Sequence, residues 1–163
     1  KTAACNAIVS TGATITHHHA VGADHRPWMR DEVGDLGVQV LRAVKATLDT
    51  AVTDALTAAL AESGTPALVL CHISHVYPTG ASLYFTVVAA QRGNPIEQWR
   101  AAKTAACDAI VSTGATITHH HAVGADHRPW MRDEVGDLGV QVLRAVKATL
   151  DPAGILNPGK LIP

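Results

Sequence analysis

Charge is scarce in this chain: charged residues make up 17% of its 163 positions, and 13 basic side chains nearly cancel 14 acidic ones. A protein so balanced carries no long-range field to gather nucleic acid or acidic membranes, so no nucleic-acid partner is expected. Aromatics are also few, and no apolar run reaches the roughly twenty residues of a membrane span. The opening segment, Lys1 to Val9, lacks the pattern of a signal peptide. Cysteine occurs three times, as Cys5, Cys71 and Cys107, without C-x-x-C spacing. That argues against a disulfide framework or a zinc ribbon. A reducing cytoplasm is the expected compartment, with peripheral membrane association left open. Against these absences stands an apolar fraction of 47%, enough for a folded core.

The most informative feature is internal. Lys1 to Asp49 recurs as Lys103 to Asp151 with one difference, Asn6 against Asp108. Solenoid repeats keep core positions and let their surfaces drift, whereas here even surface letters agree. The second copy follows a full set of elements and runs on into Asp151-Pro152-Ala153-Gly154-Ile155-Leu156-Asn157-Pro158-Gly159-Lys160. The first runs from Asp49 directly into Thr50-Ala51-Val52. Residues 50–163 are therefore expected to form the intact unit, and residues 1–49 an extra partial copy. Such a copy could dock elsewhere, swap into the other's place or support a homodimer.

Within the intact unit, Val52, Leu56, Ala59 and Leu60 mark one helical face that Gly64 ends. Ala67 to Tyr77 and Ser82 to Ala90 read as the strands of a hairpin turning at Pro78-Thr79-Gly80. Asn94-Pro95-Ile96-Glu97 is a helix start, with an asparagine cap and proline at the first helical position. That helix should reach about Ser112, and a short strand is expected over Ala115 to Thr118. A last helix is expected from Pro129 to Leu150, burying Val135, Leu138, Val142, Val146 and Leu150. The order predicts an α+β fold, an antiparallel sheet with helices packed on one face.

Alternation along the second strand turns Leu83, Phe85, Val87 and Ala89 toward the helices and Ser82, Tyr84, Thr86 and Val88 away. Tyr84 is thus expected on the outer face, where a plain sheet tyrosine would also be at home. Thr118 to Arg128 is the densest polar stretch, and it leaves a strand end to enter a helix, a common place for sites. Its histidines, His119, His120 and His121, could act as acids, bases or donors near neutral pH. Adjacent histidines alternate direction in extended chain and do not reach one ion easily, so no metal is expected. His72 and His75 should fall on opposite strand faces, leaving at most one of them for a site. Arg128 and Arg132 flank Trp130 at the start of the last helix, where they could meet an anion or simply be solvated.

These pieces, in this order, resemble the C-terminal part of the alkyldihydroxyacetonephosphate synthase branch of the FAD-linked oxidases. The resemblance rests on Thr79-Gly80-Ala81-Ser82-Leu83-Tyr84-Phe85, on His119-His120-His121 followed by Val123-Gly124, on the tryptophan-bearing helix and on the Asp-Pro-Ala-Gly-Ile-Leu-Asn-Pro-Gly-Lys tail. It implies FAD as cofactor and exchange of the acyl group of acyl-dihydroxyacetone phosphate for a long-chain alcohol, an ether-lipid reaction without net oxidation. It implies Tyr84 as proton donor and acceptor, His119, His120 and His121 as active-site histidines, and His72 and Arg128 near a lipid-like or small-molecule substrate. Asn157, in the tail, would lie nearest the cofactor.

A second branch of the same superfamily, the 2-hydroxy-acid dehydrogenases, carries two metal-binding histidines on the hairpin and a Glu-His-Gly loop. By resemblance, His72 matches the first ligand, Tyr84 replaces the second and His120 replaces the glutamate. An oxidase or dehydrogenase of a small hydroxy acid or alcohol is the alternative. No glycine-rich pyrophosphate loop occurs in residues 1–102. The flavin-binding domain is thus expected as a partner, and this chain as one wall of the site. A catalytically silent fragment or interaction module is the remaining alternative.

Overall fold

In a computed structural model the described residues are 2–13, 26–77, 80–117 and 121–163. The expectations for Pro78, Thr79, Thr118, His119 and His120 fall outside them. The chain opens with α1 (Thr2–Ser10), a 3-10 turn over Arg26–Trp28 and α2 (Met29–Val44). A π-helical segment, Lys45–Asp49, carries α2 without a break into α3 (Thr50–Glu62). The hairpin β1 (Ala67–Tyr77) and β2 (Gly80–Ala89) follows, then α4 (Pro95–Ser112), a 3-10 turn Arg128–Trp130 and α5 (Met131–Leu150). Among the described residues no helix is long and apolar enough to cross a membrane.

The core lies where α3 and α4 pack together against β1. Val52, Leu56 and Leu60 of α3 meet Ala102 of α4, with Leu48, Val69, Phe85 and Ile110 closing round them. Fully burying one such aliphatic side chain contributes about 1.5–3 kcal/mol. α3 stops where expected: Gly64 takes φ +77°, and the Thr65 amide returns to the Leu60 carbonyl at 3.1 Å. Buried Thr65 then accepts the Ala90 amide at 3.1 Å and ties the end of β2 to the end of α3. α4 begins as its sequence indicates, Asn94 Oδ1 accepting the Ile96 amide at 3.0 Å. The helices cover one side of the hairpin, so the α+β layer holds.

Three expectations are corrected. Residues 115–117 form no strand; the Ile117 amide donates to Glu134 Oε1 at 2.7 Å rather than to a neighbouring strand. A short apolar run becomes a strand only beside a free sheet edge, and this one lies against α5 instead. The last helix is not one rod, because Gly136 breaks it at φ +69°, ψ 173°. Its stripe is not buried: Val135, Leu138, Val142, Val146 and Leu150 are exposed, and Met131 and Val140 are buried instead. In the first copy the helix, α2, packs on β2, and Val33, Val40, Val44 and Leu48, the twins of Val135, Val142, Val146 and Leu150, are half-buried, while Leu36, the twin of Leu138, is exposed like it.

The described parts of the two copies share several side-chain contacts. Trp28 donates to Asn6 at 2.6 Å, and Trp130 donates to Asp108 at 2.7 Å. The single difference between the copies thus falls on the tryptophan's acceptor and preserves it. Ion pairs Arg30–Asp35 and Arg132–Asp137 also correspond.

Candidate functional site

The hairpin pairs antiparallel, with His72 opposite Tyr84 and Val69 opposite Val87. A bulge between Ile73 and His75 shifts the register, so that His75 faces Ser82. Ser82 and Tyr84 are two apart on β2 and share a face, so their partners His75 and His72 share it too. The expectation of opposite faces for the two histidines fails for that reason. Strict alternation holds only until an extra residue enters one strand, and here the residue is Ser74. Its hydroxyl reaches the Ser82 hydroxyl at 3.2 Å and His75 Nδ1 at 3.1 Å.

Tyr84 is 52% exposed on the face turned from the helices, and its ring stacks on His72 with centroids 5.1 Å apart and planes 25° from parallel. Leu70, and beyond it the cross-strand pair Leu68 and Val88, continue this face toward one end of the hairpin, each more than half exposed. Exposed leucines and valine on one sheet face, with a phenol and an imidazole among them, make a flat apolar platform carrying two polar handles. Such a surface is not at ease in water and is suited to being covered.

The inner face is chemically quieter. Half-buried Cys71 has its thiol pushed up to about 12 by burial and by the neighbouring Asp49 carboxylate, to which it hydrogen-bonds. Burial opposes ionisation of Asp49 as well. The Lys45 ammonium outweighs it, with help from the Cys71 thiol and the Thr53 hydroxyl, and holds that carboxyl below its ordinary value. Cys71 is therefore a protonated packing residue at neutral pH, not a nucleophile.

The second polar cluster lies in the loop before α5. His119 and His120 fall outside the described residues; His121 is exposed. Sequence reasoning passed over His127. Both of its ring nitrogens are buried without a hydrogen-bond partner among the described residues, and burial, then Lys103, push it below its ordinary value. It lines a small cavity of about 120 Å³ with Thr116, Ile117, Val123, Met131, Glu134 and Val135. The Asp126-His127 pair was the only signal in the letters. Arg128 donates to the Gly159 carbonyl at 3.2 Å, and so holds the C-terminal tail against the loop. Asn157 takes φ +44° in that exposed tail, its carbonyl accepting the Lys160 amide at 3.3 Å. The structure thus joins Tyr84 to His72 on the sheet, and His121, His127 and Arg128 in the loop and tail region.

The helices thus lie on one side of the hairpin, and the exposed Tyr84–His72 stack lies on the other. The chain belongs to the family of FAD linked oxidases, C-terminal domain, whose pattern matches residues 2–53 and 50–161. It is 41% identical over 103 residues to the alkyldihydroxyacetonephosphate synthase of Dictyostelium discoideum, covering 63% of this chain and 17% of that protein. The synthase of Trypanosoma brucei brucei is 37% identical over 105 residues, 64% of this chain and 17% of that protein. A probable mitochondrial D-lactate dehydrogenase of Danio rerio is 43% identical over 47 residues, 29% of this chain and 10% of the relative. The chain thus spans about a sixth of the length of the synthases it matches.

Proposed function

We propose that this chain supplies the substrate-side wall of a flavin-dependent enzyme of the alkyldihydroxyacetonephosphate synthase kind. The observation that carries the reading is the stack of Tyr84 on His72 at the centre of the exposed outer sheet face. The apolar platform of Leu68, Leu70 and Val88 fits a planar ring system. FAD, when bound by a partner domain, would supply an electrophilic ring for the substrate carbon in an exchange of acyl group for long-chain alcohol. This chain's residues would do the rest. Tyr84 would hold and return the proton that leaves that carbon, and His72 would orient the phenol through the stack. His119, His120 and His121 would carry developing negative charge, and Arg128 and Asn157 would border the substrate and cofactor. The apolar face would exclude water from the exchange.

The test is Tyr84→Phe in an enzyme that joins this segment to a flavin-binding domain. Loss of a positioned acid–base group should lower turnover by about 10²–10⁴-fold while the flavin absorbance stays. Near-normal turnover would remove the tyrosine from the mechanism. Assaying the same protein with acyl-dihydroxyacetone phosphate plus a long-chain alcohol, and separately with 2-hydroxy acids, decides between exchange and oxidation. The short stretch shared with a D-lactate dehydrogenase keeps oxidation of a hydroxy acid as the second reading.

A further inference from the structure

The two copies share one sequence but not one environment. Val33, Val40, Val44 and Leu48 are half-buried, whereas their twins are exposed, Val142 to 54%, Val146 to 49% and Leu150 to 75%. The difference cannot come from the side chains, because the letters are the same. It comes from place: α2 lies on β2, and Leu48 enters the core cluster.

We propose that the helix-facing side of the hairpin is a shared dock, and that α5 exchanges with α2 for it within one chain. The occupant of the exposed α5 stripe is then the same hairpin that now holds α2. Three observations support this. Four of the five α5 stripe residues are twins of half-buried positions in the first copy and can offer β2 the same contacts; the fifth, Leu138, is exposed to the same 74% as its twin Leu36. The opposite side of α5 is already occupied: Met131 and Val140 are buried, and Arg144 donates to the Pro163 carbonyl at 2.6 Å. The stripe is therefore the side left for docking. Finally, α2 joins α3 through the π-helical segment Lys45–Asp49, a departure from α-helical hydrogen bonding absent from the second copy, and in the proposal this is where α2 parts from α3. With equal contacts, the tethers decide the populations. α2 runs directly into the core helix and so has the higher local concentration at the dock.

The test is a cycle of substitutions in the full chain: Val40→Asp with Val44→Asp, Val142→Asp with Val146→Asp, and all four together. Exchange expects the second pair alone to move the urea midpoint little. The first pair should cost less than the loss of a docked helix, and the four together should cost more than the two pairs summed. In the Val40→Asp, Val44→Asp chain, amides of residues 137–150 should gain at least about tenfold protection from hydrogen exchange, by the arithmetic of a shifted two-state population, with the protein still monomeric. Additive effects overturn the proposal, as does unchanged protection of the last helix. Protection that arises only at concentrations where the chain dimerises also overturns it, since the occupant is then a second copy. If the aspartates prevent folding, alanine at the same positions gives the same cycle.

Discussion

Asp151 shows how much one side chain organises. Its carboxylate ends α5, pairs with Lys147 and accepts the Leu156 amide at 2.9 Å and the Ile155 amide at 3.1 Å. Lys147, then those amides, hold the carboxyl below its ordinary value against the cost of burial. A carboxyl whose folded value lies below its unfolded one contributes fully above the unfolded value. That contribution is lost as pH falls through the folded value. The amides of Ile155 and Leu156 should therefore stay protected at neutral pH and lose protection on acidification below about pH 4. Hydrogen exchange followed against pH checks it, and Asp151→Asn should abolish the protection already at neutral pH. The core makes a plainer prediction. Leu56 is 5% exposed among Val52, Leu60 and Ala102, and Leu56→Ala should cost about 2–5 kcal/mol in urea unfolding. At this scale the letters were partly legible. Asn94 announced its cap, and Leu56 its place in the core. The shared face of His72 and His75 was not legible, because a bulge of one residue, Ser74, leaves no mark that alternation can detect.

Among the elements, the hairpin and α4 emerged where their patterns put them, since alternation and a capped, proline-led start are local signals. The last helix did not, and Gly136 is the cause. At φ +69° and ψ 173° it leaves the helix, and a Cβ added at Gly139 would come within 2.7 Å of the Val135 Cβ. Alanine usually strengthens a helix in place of glycine. Here Gly136→Ala should instead destabilise by about 1–3 kcal/mol, because an L-residue resists positive φ with extended ψ. A thermal melt of that variant beside the parent measures it, and a gain in stability would show that the break is not a requirement of the fold. The stripe of α5 was correctly read as apolar and wrongly read as buried. Periodicity identifies a face; it does not say what covers it.

Over the whole molecule, the question is what the first copy contributes. If α5 can take the dock, a chain of residues 50–163 should still unfold in one cooperative transition, with Val142 and Val146 protected in place of Val40 and Val44. Circular dichroism on heating tests this, and a broad, non-cooperative melt would show that α5 does not replace what α2 and Leu48 contribute to the core. The outer face poses the matching question on the other side of the sheet. Its Tyr84–His72 stack was half legible: the strand's parity put Tyr84 outward, but the stack itself needed the pairing of two strands.

The amino-acid sequence by itself determined the hairpin, the helices α3 and α4 with the Asn94 cap, and that one segment is written twice. Those are short-range matters of propensity, period and turn chemistry. Only the tertiary structure decided that identical helices lead different lives, one against the sheet and one with its apolar face in water. Identical letters have identical preferences, so the choice falls to what each copy is tethered to. The first runs straight into the core helix, and the second ends in a tail that clasps its other side.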